Sequence, residues 1–284
     1  MVSPRRRAAP RALRHRPKTM QKFGDHVTLT RDGRVATVTL DRNDGLNALS
    51  TAVMRELINV ADTLSTDTET SAVVLTGRGV FSAGADLKDP AREETARGTL
   101  LERRQALKIG PDMCGAWERL EQVTIAAIEK FCIGGGVAIA VACDHRIIAS
   151  DAHMRLPEIP LGMNMSWQSN PRTAALIGPS KAKLFTILGE KCEAAQALDW
   201  GLVDDVVAAG ETEVAAQALA ARYAALPPLA VRMTKQSINA AIHALSYATS
   251  YMDRDQFALA ASSKDQAEAI SAFLERRKPT FRGD

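Results

Sequence analysis

Two short runs of small residues and one embedded acid are where residue type and spacing in this chain point to chemistry. The first run is Phe81-Ser-Ala-Gly-Ala-Asp-Leu-Lys88. It follows an apolar stretch, Ala72-Val-Val-Leu-Thr76, and the turn Gly77-Arg-Gly79. Ala83, Gly84 and Ala85 let a ligand approach bare backbone. Ala85 leads into a polar turn, which leaves its N–H able to point outward unpaired. The second run, Ile133-Gly-Gly-Gly136, also follows an apolar stretch, Thr124-Ile-Ala-Ala-Ile128. Two strand-to-loop junctions with free N–H groups can hold the charge that develops on a carbonyl oxygen, as an oxyanion hole does. The acid is Glu158, set among Leu156, Pro157, Ile159, Pro160 and Leu161. Apolar surroundings disfavour a carboxylate and raise its pKa toward the range useful to a general base. Each feature alone has an ordinary reading: a tight turn before a helix, or a loop glutamate.

The elements that must position these groups follow from hydrophobic period and turn chemistry. Val27-Thr-Leu-Thr30 and Arg34-Val-Ala-Thr-Val-Thr-Leu40 read as strands joined by the turn Asp32-Gly33. Ser50 is a good N-cap for a helix in which Val53, Leu57, Val60, Ala61 and Leu64 recur at helical spacing. Ala72 to Thr76, Thr124 to Ile128 and Arg146-Ile-Ile-Ala149 read as strands. Residues 89–121 carry Arg92, Glu93, Glu94, Arg97, Glu102, Arg103, Arg104 and Lys108, which suit a solvated helical face. Ser180 to Leu188 and Glu193 to Trp200 read as helices, with Gly189 and Gly201 where C-terminal caps belong. Pro227-Pro228 breaks the chain before a helical tail whose apolar anchors are Phe257, Ile270, Phe273 and Leu274. The strand–strand–helix rhythm is structural repetition; no fixed-period motif accompanies it.

Composition narrows the class. At 284 residues, 46% apolar and 24% charged, the chain matches an ordinary soluble globular protein, and no apolar run approaches the ~20 residues that span a bilayer. The net charge of +3 is unevenly placed. Residues 1–19 hold Arg5, Arg6, Arg7, Arg11, Arg14, Arg16 and Lys18 and no acid, and removing those seven charges from +3 leaves −4. The body is therefore mildly acidic, and nucleic-acid binding by it has no charge support. The head reads as a disordered, dispensable extension with Met20 as the functional start, or alternatively as an organellar transit peptide. Cys114, Cys132, Cys143 and Cys192 form no C-x-x-C pair and read as reduced thiols of a cytoplasmic protein. No cluster has metal-ligand spacing, and neither a P-loop nor a dinucleotide fingerprint is present. His145 and His153 read as structural.

In this order, the motifs resemble the crotonase (enoyl-CoA hydratase/isomerase) superfamily across roughly Val27 to Gly283. Leu40-Asp-Arg-Asn-Asp-Gly-Leu-Asn-Ala-Leu49 resembles that family's first CoA-contacting loop, and Phe81 to Lys88 its adenine-and-oxyanion loop. Gly134 to Asp144 resembles the second oxyanion element and the helix behind it. Leu156-Pro-Glu-Ile-Pro-Leu-Gly162 resembles the segment that carries a catalytic carboxylate. Ala197 to Val207 and Phe273 to Phe281 also fit. The resemblance implies an α/β fold with a coiled ββα core over residues 20–215 and a C-terminal helical trimerisation region over 216–284. It implies that the oxyanion donors are the N–H groups of Ala85 and Gly135, and that Glu158 is the catalytic base. Arg42 would meet phosphate; Asn47, Ala48 and Leu49 would contact the pantetheine arm; Ala83, Asp86 and Leu87 would cradle the adenine. Phe281 and Lys278 are candidates to reach a neighbouring CoA. The partners implied are an acyl-CoA thioester, whose CoA is part of the substrate and not a cofactor, and further copies of the chain in a trimer or hexamer.

Departures from the family pattern carry the finer expectation. The family's hydratases hold a water between two glutamates, one of which falls here on Ala138. Glu158 is therefore left without its partner. A single base suffices to move a proton from carbon 2 to carbon 4 of a 3-enoyl-CoA, so a Δ3-Δ2-enoyl-CoA isomerase is the leading expectation. The alternatives are a hydratase, another lyase or a hydrolase with a relocated second acid, and a CoA-thioester binder without catalysis. Glu129 is the local candidate for that acid, with an ion pair at a strand end as its plainer role. Met163, Met165 and Trp167 replace the glycine-rich stretch that usually follows the glutamate, and either line the acyl pocket or pack in the core. Ser166 stands where dienoyl-CoA isomerases carry an aspartate, which argues against that variant.

Overall fold

A computed structural model describes residues 18–284, with the backbone alone at Glu93. The expectations for the basic head lie outside the described residues, apart from its last two. The strands are β1 (Thr19–Phe23), β2 (Val27–Asp32), β3 (Val35–Leu40), β4 (Ala72–Gly77), β5 (Val123–Ile128), β6 (Phe131–Ile133), β7 (His145–Ala149), β8 (His153–Arg155), β9 (Cys192–Glu193) and β10 (Asp205–Val207). The helices are α1 (Thr51–Ser65), α2 (Pro90–Ala96), α3 (Leu100–Ala106), α4 (Ile109–Glu118), α5 (Gly135–Ala140), α6 (Ser169–Leu188), α7 (Ala194–Trp200), α8 (Thr212–Ala224), α9 (Pro228–Ile242), α10 (Ser246–Ser250), α11 (Asp253–Ala260) and α12 (Lys264–Glu275). The first strand starts one residue before Met20, where Thr19 pairs with Arg31.

Seven strands form one sheet in the order β1-β2-β3-β4-β5-β7-β10, and β6-β8-β9 form a second. From β3 to β10 the large sheet is parallel. Such a sheet is covered on both faces, and its strands read as continuous apolar runs. Alternation along the strands divides those runs. Val73, Leu75, Ala126, Ile128 and Ile148 join the main core with α1 and α4. Ala72, Val74, Ile125, Ala127 and Ile147 face the other way, against Ala216 and Ala220 of α8.

Capping follows the local sequence. Ser50 Oγ accepts from the Val53 N–H at the start of α1. Gly189 and Gly201 end α6 and α7 in the left-handed region, at φ 63° and 79°. Helix α6 begins earlier than its apolar period indicates, and its interior is broken at Gly178-Pro179. On α12 the buried residues are Ala269 and Ala272, while Ile270, Phe273 and Leu274 are exposed in this single chain. Those three are therefore not anchors of the chain's own core. Among the described residues, no single helix is long and apolar enough to cross a membrane.

Candidate active site

The loop after β4 is laced between two neighbours by backbone bonds. On one side the Ser82 N–H donates to Phe131 O, and the Ile133 N–H donates to Ser82 O at 3.0 Å. On the other side the Leu49 N–H donates to Gly84 O at 2.7 Å, and the Asp86 N–H donates to Leu49 O at 3.1 Å. This is a parallel bridge, in which Ala85 lies between the two bonded groups and its own N–H points away from Leu49. Gly84 bends the loop there at φ 86°, and an ideal Cβ on it would lie 2.5 Å from Ile133 O. That same point is 3.1 Å from Gly135 N, so the two glycine-bearing loops abut at Gly84, next to Ala85, and Gly135.

Gly135 is the first residue of α5, so its N–H has no intrahelical acceptor. The preceding Gly134 N–H is taken by Arg155 O at 2.9 Å, and Gly134 itself is left-handed at φ 53°. Among the described residues, neither the Ala85 N–H nor the Gly135 N–H has a partner. The arrangement is that of two adjacent free donors aimed from different loops.

The small sheet brings the acid to them. β6 and β8 pair in parallel with Ile133 opposite Arg155, so the chain beyond Arg155 runs beside Gly134. Glu158 follows at the head of the short 3₁₀ turn Ile159–Leu161, and its backbone carbonyl accepts from the Leu161 and Met163 N–H groups. Its Oε1 lies 2.6 Å from where a Cβ on Gly134 would begin. Its Oε2 is buried and has no hydrogen-bond partner among the described residues. Loss of water raises the Glu158 pKa from the usual carboxylate value to about 7, a rise only partly offset by its own backbone N–H and by Arg155. At neutral pH the group is thus poised both to take and to return a proton.

The other expected residues separate into those that can face a ligand and those that hold the loops. Asn47, left-handed at φ 47° and 2% exposed, is a turn organiser. Its Nδ2 donates to Val80 O, and its Oδ1 accepts from the Arg42 N–H. Leu49 is part of the core, so only its backbone reaches the loop surface. Arg42 donates to Asp86 at 2.8 Å and pairs with Asp44 at 3.4 Å, so its charge is compensated inside the protein. Leu87 is exposed, Ala48 is buried, and the Ala83 N–H is bound to Leu46 O.

Ala138 is fully buried among Val137, Ile139 and Ala140, an apolar site. Among the described residues Glu129 has no ion pair, and its carboxylate is taken up by a helix N-terminus. Its carboxylate accepts from Gly210 N–H, Thr212 N–H and Thr212 Oγ1 at 2.7–3.3 Å and caps α8, where negative charge meets the helix dipole. Met165 packs in the core, Met163 is half-buried, and the Trp167 ring lies directly on Gly135.

Sequence reasoning passed over Arg172, buried beside Trp167 and bound to Glu118 at 2.7 Å. An arginine at that depth needs several acceptors, and the nearby polar run Ser166-Trp-Gln-Ser-Asn170 was the available signal.

A family model described as enoyl-CoA hydratase/isomerase matches residues 30–284. A short-chain-enoyl-CoA hydratase of Clostridium acetobutylicum is 34% identical over 256 residues, covering 89% of this chain and 96% of that protein. A 2,3-dehydroadipyl-CoA hydratase of Escherichia coli is 34% identical over 261 residues, covering 90% of this chain and 98% of its own. Among solved structures, an enoyl-CoA hydratase from Mycobacterium avium subsp. paratuberculosis superposes with a TM-score of 0.80 at 28% identity, covering 91% of this chain and 99% of that one.

Proposed function

The chain belongs to the enoyl-CoA hydratase/isomerase family, and from that premise we propose that it adds water to a 2-enoyl-CoA with Glu158 as its single proton shuttle. The observation that carries this reading is the desolvated Glu158 carboxyl, its Oε2 unpartnered among the described residues, near the two free N–H groups. Relatives named as hydratases support water addition over the double-bond shift that the loss of a second acid first indicated.

The step balances with one carboxylate. The thioester carbonyl oxygen accepts the Ala85 and Gly135 N–H groups. Glu158 takes a proton from water as the water oxygen bonds to carbon 3. The π electrons of the C2–C3 bond move through carbon 2 to the carbonyl oxygen, giving an enolate held by the two donors. One such donor is typically worth ~3 kcal/mol of barrier. Glu158 then returns its proton to carbon 2. A single carboxyl serves one face, so oxygen and hydrogen add to the same face.

We propose that CoA lies along the Ala48–Leu49 and Ala83–Leu87 backbone, with Leu87 over the adenine. Because Asp86 and Asp44 already occupy Arg42, any phosphate contact by it is shared with them. We further propose a cytoplasmic homotrimer or hexamer. Leu229, Met233, Ile238 and Ile242 on α9, together with Phe273 and Leu274, support it as an exposed apolar surface. The four cysteines are buried free thiols, which suits a reducing compartment.

A second reading, the shift of a 3-enoyl-CoA double bond, is favoured by one observation: the site of the missing acid is the buried, apolar Ala138. Incubation with a 2-enoyl-CoA and, separately, with a 3-enoyl-CoA distinguishes them, read by absorbance and by the mass of one added water. Hydration of the 2-enoyl thioester, absent in Glu158→Gln, supports the proposal. A bond shift with no water added replaces it with the second reading.

A further inference from the structure

The indole of Trp167 is wedged between two glycines from different helices. An ideal Cβ on Gly135 would lie 2.3 Å from Cζ3 of the ring, and one on Gly110 would lie 2.1 Å from Cε2. Any side chain at either position would displace the ring. On one side, therefore, the indole rests on the residue that offers an oxyanion N–H. On the other it rests on Gly110, near the start of α4. Gly134, the neighbour of Gly135, faces the Glu158 carboxyl. The ring and the carboxyl thus contact adjacent residues of one turn, the turn against which the thioester must lie.

The backbone that presents this ring is unusual. Trp167 and Gln168 are both left-handed, at φ 59° and 57°, a conformation bulky residues adopt only when their surroundings impose it. The imposing groups are visible. Arg172 Nη1 donates to Trp167 O at 3.0 Å and to Gln168 O at 3.2 Å, and its Nη2 donates to the Gln168 side chain at 3.1 Å. Nε of the same guanidinium is held by Glu118 of α4 at 2.7 Å. From α11, the Asp253 carboxylate accepts the Gln168 N–H at 2.7 Å. Three elements, α4, α6 and α11, thus fix the strained pair and the ring it carries.

We infer that Trp167 is a specificity-determining residue that closes the acyl end of the site and restricts the substrate to a short acyl chain, with Arg172 as the positioning residue that holds the indole against Gly135. This rests on the acyl-CoA reading above. A thioester carbonyl seated on Ala85 and Gly135 directs its acyl carbons past the Trp167 ring. A rigid, buried-edged indole admits few of them, whereas a small side chain there leaves a channel toward α4. Apolar pockets discriminate by chain length in steps of about 10-fold or more per misfitted methylene.

Calorimetric binding of butanoyl-CoA, octanoyl-CoA and decanoyl-CoA tests the inference without requiring turnover. The parallel series of 2-enoyl-CoA substrates is assayed for kcat/KM. The wild type is expected to bind butanoyl-CoA at least about 10-fold tighter than decanoyl-CoA. Trp167→Ala, or Trp167→Leu should the alanine variant fail to fold, is expected to erase that ratio. Arg172→Lys cannot keep the forked contacts and is expected to relax the ratio while affinity for butanoyl-CoA stays within about 3-fold; a purely structural role would lower melting temperature and leave the ratio unchanged. Equal affinity for all three thioesters in the wild type, or a ratio that survives both Trp167 variants, overturns the inference and leaves the hydratase reading standing. A length-dependent ratio with no turnover of any enoyl-CoA leaves the inference standing and overturns that reading. No acyl-CoA binding at all overturns both.

Discussion

Glu158 and Gly134 occupy what is nearly one position: Oε1 of the glutamate lies 2.6 Å from the point where a side chain on residue 134 would begin. Only a residue without a Cβ lets the carboxyl come so close to the turn that leads into α5. The register of β6 against β8 produces this approach, because Ile133 and Arg155 are partners and both chains run on in the same direction. Proximity to the donors and removal from water therefore arise from the same packing.

The first consequence concerns activity. Glu158→Gln keeps the shape but cannot exchange the proton, so kcat/KM is expected to fall by about 10²–10⁴-fold while CoA affinity is retained. In the proposed scheme the ionised carboxylate is the base. Activity is expected to rise with pH through about 7, the Glu158 pKa set by burial, with an acid limb that a normal carboxylate would place lower. A pH profile of kcat/KM flat from pH 6 to pH 8 would remove Glu158 from the base role.

Stability carries the opposite sign. A carboxyl whose folded pKa is raised from 4.5 to about 7 binds its proton more tightly when folded. Stability is therefore lost as pH rises between those values, and the penalty is constant above them. Glu158→Gln does not titrate. It is expected to be more stable than the wild type at pH 8 by about 2–3 kcal/mol, a figure reduced for partial exposure of the residue, with the gap below about 1 kcal/mol at pH 5. Urea unfolding at both pH values measures it. A variant less stable than the wild type at pH 8 would contradict the assignment.

Glu129 shows how position in sequence can mislead. It stands at the end of β5, two positions from β6 and near the glycine triplet, yet its carboxylate points to Gly210 and Thr212. Glu129→Gln weakens a helix cap and is expected to lower stability by about 1 kcal/mol. Activity per folded molecule should stay within about 2-fold, a small effect at a site away from the chemistry. Loss of hydration at unchanged stability would return Glu129 to the list of acids.

What was legible in the sequence was what local pattern governs. Apolar runs marked β4, β5 and β7; Ser50, Gly189 and Gly201 marked helix ends. Glu158 stood out because Leu156, Pro157, Ile159 and Pro160 flank it in sequence. Backbone donors could be located through glycines, since no side chain is needed to supply them. Non-local pairing stayed hidden. Arg42 is neutralised by Asp86, a residue from the next loop. Trp167 meets Gly110 and Gly135 only after α4 and α5 are packed. The preference for a double-bond shift rests on one missing acid, Ala138, and gives no weight to a lone carboxyl that takes its proton from water and returns it to carbon 2.

Gly84 links the two donor loops, and substitution there separates catalysis from binding. At φ 86°, with Ile133 O only 2.5 Å from an ideal Cβ, alanine must push the Ala85 loop away from Gly135. Gly84→Ala is expected to lose about 10²–10³-fold in kcat, the effect of one misplaced oxyanion donor, and about 1–3 kcal/mol in stability. KM is expected to change far less. A variant with native kcat and a raised KM would show that this loop serves CoA binding alone.

The sharpest test of the one-carboxylate scheme is to supply the missing acid. Ala138 is fully buried, with Val137, Ile139 and Ala140 equally enclosed, and the core around it is closed. A glutamate there must either bury its carboxyl without partners or force α5 away from the sheet. Ala138→Glu is therefore expected to lower stability by at least about 2 kcal/mol, the penalty for a buried polar group left unpaired. It is not expected to accelerate hydration of a 2-enoyl-CoA. Thermal unfolding and initial rates on the same preparation decide the matter. If the variant keeps native stability and hydrates faster, the site can hold a second acid beside the water, and Glu158 no longer needs to carry the proton in both directions.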